Sequence, residues 1–275
     1  MSDPDGPGRH GRGHRSHAPQ MAARPVSGDA AVADDASGGG EGAAFGGRVN
    51  RATGEMIERQ LRALVLDAPF PCLGARSAFR TGSYVFAAYS DMHDERDLAA
   101  LLAGLTRFAR MRTSLGRFYT YVASFVEPRM IPDEHAWERL VWSVLQWLHD
   151  HDEVSWDTRW STSPSDSDFA LSIGGLGQLV VTLYPGANRH ARRFAWPTLI
   201  FNPLEQDRAN FPDDEDFLAF QDQIRARDSR LQGNVNPSLP PTLDDPQAPG
   251  FSGAPVGADW RCPLTVRTGE ERNAG

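Results

Sequence analysis

The chain has 275 residues, with 28 arginines and no lysine against 36 acidic residues, so its formal net charge is −8 at pH 7. The absence of lysine excludes a lysine Schiff base and a phosphate-loop lysine. The acidic balance argues against nucleic acid as a partner, because nucleic-acid binding requires a basic face.

Composition divides the chain into three parts. Residues 1–47 contain almost no large apolar side chains, so they are predicted to form a disordered Gly/Ala/Ser-rich tail, without the apolar stretch of a secretory signal. Residues 48–264 are long enough for one domain with a sizeable core, and residues 265–275 are predicted to be a flexible tail. The sequence has two cysteines and no apolar run that could span a bilayer, so we expect a cytoplasmic protein with no membrane partner.

Hydrophobic spacing predicts the secondary structure in chain order. Helices are predicted at 51–67, 94–111, 132–152 and 217–230. Strands are predicted at 84–89, 119–126, 169–173, 178–184 and 197–202. Asp133 is expected to cap the third helix, and Gly174 and Gly175 are expected to turn a hairpin. Because helices and strands mix without a regular βαβ rhythm, the predicted fold class is α+β: a mixed, largely antiparallel sheet packed with helices in a single domain.

A cationic loop, residues 188–193, follows the strand predicted at 178–184. It places three arginines and a histidine in five positions, Arg189 to Arg193, and a second apolar strand comes directly after it. Guanidinium groups bind carboxylates and phosphates bidentately, so a loop held between two strands is a candidate anion site. A solvated run of charge without a ligand is the alternative, and the loop alone leaves both open.

Three single residues have both a structural and a functional interpretation. Cys72 lies in an apolar loop and is either a buried structural thiol or a thiolate bound to a metal or haem iron. Tyr184 is either a core aromatic or a phenolate ligand. His149 lies at a helix end, where histidine commonly compensates the helix dipole. Zinc is disfavoured, because the two cysteines are far apart and no H-E-x-x-H motif is present.

Seven groups of residues, in chain order, resemble the YqcI/YcgG family, and together they cover about residues 50 to 264. They are Pro69-Phe70-Pro71-Cys72 with Ala75; Trp142-x-x-Leu145-Gln146-x-Leu148-His149-x-x-Asp152; Asp168-Phe169 with Ser172-x-Gly174-Gly175; Arg189-x-Ala191-Arg192-Arg193-Phe194-x-x-Pro197 with Ile200-Phe201-Asn202; Ile224-Arg225-x-Arg227-Asp228 with Leu231-Gln232-Gly233-x-x-Asn236-Pro237; Phe251-Ser252-Gly253; and Trp260-x-Cys262-Pro263. Each motif is short and weak alone, and the order of all seven makes the resemblance specific.

The resemblance implies an activity, because family members of known activity are haem-dependent N-oxygenases that hydroxylate a guanidine nitrogen of arginine-like amino acids in natural-product pathways. It implies haem b as cofactor, L-arginine as substrate, Nω-hydroxy-L-arginine as product and dioxygen or peroxide as oxidant. A separate electron-donor protein is expected, since the sequence has no flavin or nicotinamide fingerprint. The alternatives are a non-catalytic haem- or anion-binding carrier or sensor, and a protein–protein interaction domain that uses the tryptophans.

The resemblance also implies roles for particular residues. His149 and Cys72 match family positions and are the candidate iron ligands, whereas Tyr184 and Leu204 stand where members often have histidine. Tyr184 or His190 would then be the other ligand candidates. Arg189, Arg192 and Arg193 are the candidates for binding the haem propionates or a substrate carboxylate, and Tyr184 is a further candidate for binding the cofactor. The candidate catalytic acids, which would hold the substrate guanidinium, are Glu127 and Asp168, and Asp91 is a third candidate for this role.

Overall fold

The computed structural model describes residues 49–112, 115–237, 240, 242–257 and 259–267. The predicted tail at 1–47 lies outside these residues, as does most of the predicted tail at 265–275. Among the residues described, no helix combines the length and the apolar character that crossing a membrane requires.

The secondary structure consists of six helices and five strands within the described ranges. The helices are α1 Arg51–Leu66, α2 Leu73–Thr81, α3 Glu95–Met111, α4 Glu134–His151, α5 Glu205–Asn210 and α6 Asp214–Gln232. The strands are β1 Tyr84–Asp91, β2 Thr120–Glu127, β3 Leu171–Ile173, β4 Leu176–Leu183 and β5 Thr198–Pro203. Every predicted helix and strand is present, and α2 and α5 are additional. The α+β fold class is confirmed.

The five strands form one mixed sheet in the order β1-β2-β5-β4-β3. β1 and β2 are parallel, with α3 as their crossover, and the other three neighbouring pairs are antiparallel. Gly174 and Gly175 have positive φ angles and turn the β3–β4 hairpin as predicted. The strand directions bring the carboxyl ends of β1, β2 and β4 to the same end of the sheet, here called the upper end.

The core lies on both faces of the sheet, because successive side chains of a strand point to opposite faces. On one face, α3 and α4 bury residues such as Leu105 and Trp137 against Phe125. On the other face, α1 and α2 bury residues such as Leu61 and Phe79 against β1 and β2. Asp133 caps α4 by accepting a hydrogen bond from the backbone N–H of Ala136 at 2.7 Å, as predicted.

An ion-pair network lies at the lower end of the sheet, and it was not predicted from the sequence. Glu205 accepts hydrogen bonds from Arg112, from Arg159 Nη1 at 2.8 Å and from the Tyr119 hydroxyl at 3.0 Å. Arg159 also binds Asp157 bidentately, at 2.8 and 2.7 Å. Burial raises the pKa of Glu205, but the two guanidiniums and the hydroxyl outweigh it and lower this pKa to about 2.

We expect this network to make the fold sensitive to acid. Because the pKa of Glu205 falls from 4.5 to about 2 on folding, its stabilising effect is full above pH 4.5 and is lost as the pH falls toward 2. The whole effect is at most about 3 kcal/mol, because solvent partly screens the charges of this network. Glu205→Gln should therefore lower the melting temperature at pH 7 and lower it by only a fraction of that amount at pH 2.5. An equal effect at both values would contradict this assignment.

Candidate functional site

The cationic loop lies at the upper end of the sheet, between β4 and β5. Residues His190–Arg192 form one turn of 3-10 helix. The backbone of Tyr184 closes the base of the loop: its N–H donates to the Arg192 carbonyl at 3.1 Å, and its carbonyl accepts from the Phe194 N–H at 3.3 Å. The loop is therefore an ordered part of the fold.

Arg189 already has a counter-ion. Its buried guanidinium forms an ion pair with Asp228 of α6 and donates to Asn234 Oδ1 at 2.5 Å. Gln232, at the end of α6, accepts from the His190 N–H at 2.8 Å and donates to the Asn188 carbonyl at 3.1 Å. Asp228 therefore already offsets the charge of Arg189, and the pairing of Arg189 with a propionate stays a prediction.

Arg192 and Arg193 have different surroundings. Arg192 donates to the carbonyls of Gly250 and Phe251 at 3.1 and 3.4 Å, and no carboxylate of the described residues lies in ion-pair contact with it. Burial lowers the pKa of Arg192 to about 10. Arg193 is exposed and donates to the Ala187 carbonyl at 3.0 Å. Arg192 and Arg193, unlike Arg189, have no carboxylate partner among the described residues, so their positive charge is available to bind an anion.

Tyr184 is a buried core aromatic whose hydroxyl has no hydrogen-bond partner among the described residues. Its ring stacks on Trp137, with the ring centroids 4.9 Å apart. Burial, followed by the charges of Glu134 and Asp133, raises the pKa of the phenol to about 12. The residue borders a cavity of about 540 Å³, here called the large cavity, which is lined by residues 129–132 and 184–186. Buried hydroxyl groups are normally hydrogen-bonded, so the Tyr184 hydroxyl is a candidate for contact with a bound group.

A second cavity of about 170 Å³, here called the polar cleft, is lined by the start of α4, the cationic loop, the end of α6 and the segments that follow α6. Its lining is rich in carboxamides and comprises Glu134, Asn188, Arg189, Gln232, Asn234, Asn236, Pro237, Gly253 and Pro255. Glu134 accepts hydrogen bonds from the backbone N–H and the side-chain Nδ2 of Asn188, at 3.1 and 2.5 Å. The sequence suggested only that Glu134 suits the first turn of α4, so its place in a cavity was missed.

The two predicted iron ligands lie on opposite faces of the sheet. His149 has no exposed surface, and its Nε2 accepts a hydrogen bond from the backbone N–H of Arg267 at 2.8 Å. Cys72 packs on the other face, where its Sγ caps α2 by accepting from the Ala75 N–H at 3.4 Å. Burial raises the pKa of the Cys72 thiol, which disfavours the thiolate. Both side chains accept a backbone hydrogen bond in this arrangement, and their role as iron ligands stays a prediction.

The predicted acids do not form one site. Glu127 and Asp91 are partners in the β1–β2 register at the upper end, where Arg129 and His93 already contact their carboxylates at 3.5 and 3.0 Å. Asp168 is exposed and precedes β3, so β5 and β4 separate it from β2. Three strand spacings amount to about 14 Å. Glu127 thus adjoins the large cavity through Arg129, and Asp168 lies away from it.

These features define an α+β protein with two adjacent cavities and a partly neutralised cationic loop at the upper end of its sheet. The chain belongs to the YqcI/YcgG family, whose family model matches residues 61–265. No curated protein and no solved structure matches the chain. Among the described residues, no group of three or more His, Cys, Asp or Glu side chains is placed to hold a metal ion.

Proposed function

We propose that the chain is a haem-dependent monooxygenase that hydroxylates a guanidine nitrogen of L-arginine to Nω-hydroxy-L-arginine in antibiotic biosynthesis. Its motifs resemble those of family members with this activity, and the member we propose as its counterpart is the haem protein of D-cycloserine biosynthesis. The observation that favours the proposal most is the orphaned hydroxyl of Tyr184, buried beside the large cavity and next to the cationic loop.

The residues at the upper end fit haem b in two respects. Tyrosine is an established haem ligand, and Tyr184 replaces the histidine that family members often have at this position. Its raised pKa means that the free protein holds a neutral phenol, and the charge of bound ferric iron would favour the phenolate. Arg192 and Arg193 would pair with the propionates, and Arg129, which lines the large cavity, adds a third cation.

The chain's own residues bind and orient the substrate. A guanidinium is a poor nucleophile because its charge is delocalised, so bound haem would supply the oxygen-activating chemistry, with electrons from a separate donor protein or with peroxide as oxidant. The protein must then hold the guanidinium with a carboxylate beside the large cavity. Of the acids predicted from the sequence, Glu127 and Asp91 reach this end of the sheet, and basic side chains already contact both.

Tyr184→Phe tests the proposed ligand. Wild-type protein reconstituted with haemin should show a Soret band and convert L-arginine to hydroxyarginine when reductant and oxygen, or peroxide, are added. Tyr184→Phe should change the ferric spectrum and abolish turnover, whereas Cys72→Ser should leave the spectrum unchanged. Stability should not fall in Tyr184→Phe, because the hydroxyl it removes has no partner in the described part of the chain.

Three outcomes separate the alternatives. Protein that cannot be loaded with haem would refute the proposal. Haem binding without turnover and without a spectral response to arginine would favour a carrier or sensor, for which Arg192 already provides a partly buried guanidinium without an ion-pair partner among the described residues. An unchanged spectrum in Tyr184→Phe would exclude this residue as the ligand.

A further inference from the structure

We infer that Glu134 is the specificity-determining residue, which binds the guanidinium group of the substrate in the polar cleft. The identity of the ligand rests on the proposed function, whereas the recognition by Glu134 rests on the cleft itself. The sequence prediction placed this role on Glu127, Asp91 or Asp168, and none of these three lines the polar cleft.

Glu134 keeps hydrogen-bonding capacity that the fold does not use. Its two carboxylate oxygens accept one hydrogen bond each, both from Asn188. An ionised carboxylate offers about four acceptor positions, so about two remain for a ligand. Asn188 donates through Nδ2, which fixes the orientation of its amide and leaves Oδ1 as an acceptor without a partner in the described part of the chain. A planar group with several N–H donors matches this set.

The carboxylate of Glu134 is the group in the polar cleft that attracts a cation. Glu134 and Arg189 are the two charged residues in the described lining, and Asp228 already offsets the charge of Arg189. The carboxyl end of α6 adds partial negative charge to the cleft, whereas the amino end of α4 and the guanidinium of Arg192, which lies against Gly253, add positive charge. The attraction for a cation therefore comes from the Glu134 carboxylate itself. A neutral ligand of the same shape would leave the Glu134 carboxylate without a cationic partner.

The position of Glu134 suits a substrate that must reach the cofactor. Its charge acts on the phenol of Tyr184, which lines the large cavity, so the two residues are electrostatic neighbours. Residues 129–132, just before α4, line the large cavity, whereas Glu134 at the start of α4 lines the polar cleft, and the segment after β4 contributes residues to both. A guanidinium on Glu134 therefore lies beside the cavity that the proposed function gives to haem.

Equilibrium binding to haem-free protein tests the inference without any turnover. L-arginine and L-citrulline have the same shape, but citrulline has a neutral ureido group in place of the guanidinium. Calorimetric titration of the wild type should show arginine binding at least about tenfold tighter than citrulline. Glu134→Gln should weaken arginine binding about tenfold or more and change citrulline binding by less than about threefold. Glu153→Gln, an exposed acid beyond the end of α4, is the matched control and should change neither.

The possible outcomes distinguish this inference from the proposed function. Equal affinity for the two ligands, no binding of arginine, or unchanged selectivity in Glu134→Gln would each overturn the role of Glu134. If Glu134→Gln does not fold, Glu134→Asp replaces it and should reduce the selectivity only in part. Intact selectivity in a protein that cannot be loaded with haem would refute the proposed function alone. Hydroxylation that is insensitive to Glu134 would refute the inference alone.

Discussion

Replacement of Asp228 with asparagine is expected to lower the free energy of unfolding by about 3–5 kcal/mol, because it leaves the guanidinium of Arg189 buried without a counter-ion. The side chains of Arg189 and Asp228 are only 9% and 8% exposed, so water cannot replace the lost charge. The same ion pair joins α6 to the cationic loop, and its loss should loosen this contact first. Urea unfolding followed by circular dichroism measures the effect, and hydrogen exchange in residues 188–193 locates it.

Asp222→Asn is the matched control on the same helix. Asp222 pairs with Arg225 at 3.3 Å, but its side chain is 73% exposed, and exposed pairs contribute about 0–1 kcal/mol. The double variant Arg189→Met and Asp228→Leu removes both charges and should recover most of the loss, since an uncompensated charge causes it. If Asp228→Asn is no worse than Asp222→Asn, the buried ion pair does not hold α6 in place.

The contact between α6 and the cationic loop shows what a single sequence predicts and what it omits. Arg189 and Asp228 both belong to motifs that support the family resemblance, and both segments were located correctly along the chain. Their pairing was not predicted, because 38 residues separate them in sequence and no periodicity encodes a contact between a loop and a helix end. Arg189 was therefore predicted to bind an external anion, whereas its partner in the structure is the carboxylate of Asp228.

His149 illustrates a second limit of sequence interpretation. Helical spacing placed it correctly on α4, but spacing does not show which groups its ring nitrogens contact. The segment after α6 has no hydrophobic period and was predicted to be coil, with a flexible tail from residue 265, yet Thr265 exchanges two hydrogen bonds with Gln146 of α4 and Arg267 donates to His149. Irregular chain that satisfies buried polar groups leaves no periodic signal.

Strong periodic patterns gave the most reliable predictions, and short or polar features gave the least. The buried stripes of α3 and α4 and the alternating strands were found because apolar burial dictates their spacing. The nine-residue helix α2 was missed, since it contains the buried Arg76 and follows two prolines that end α1. Glu134 was missed for a related reason, because a carboxylate in the first turn of a helix is common whether or not it lines a cavity.

Gly104→Ala is expected to destabilise the fold by about 2–3 kcal/mol, although alanine is the better helix former by about 1 kcal/mol. A Cβ atom at position 104 of α3 would lie 2.2 Å from the hydroxyl of Tyr121 and 3.0 Å from its Cζ. Tyr121 is 3% exposed, and its hydroxyl bonds that of Tyr89 at 2.7 Å. Because the core is close-packed, the ring has no space into which it can move.

The clash can also be tested by changing Tyr121, the residue that a Cβ atom at position 104 would meet. Tyr121→Phe alone should cost about 1–2 kcal/mol by leaving the Tyr89 hydroxyl without its partner. In the double variant the nearest clashing atom is gone, so the combined loss should be smaller than the sum of the two single losses by at least about 1 kcal/mol. Gly257→Ala, where a Cβ meets nothing within 4 Å, should change stability by less than about 0.5 kcal/mol. Additive losses would mean that α3 shifts to admit the methyl group, and the packing of α3 against β2 would then be looser than its contacts indicate.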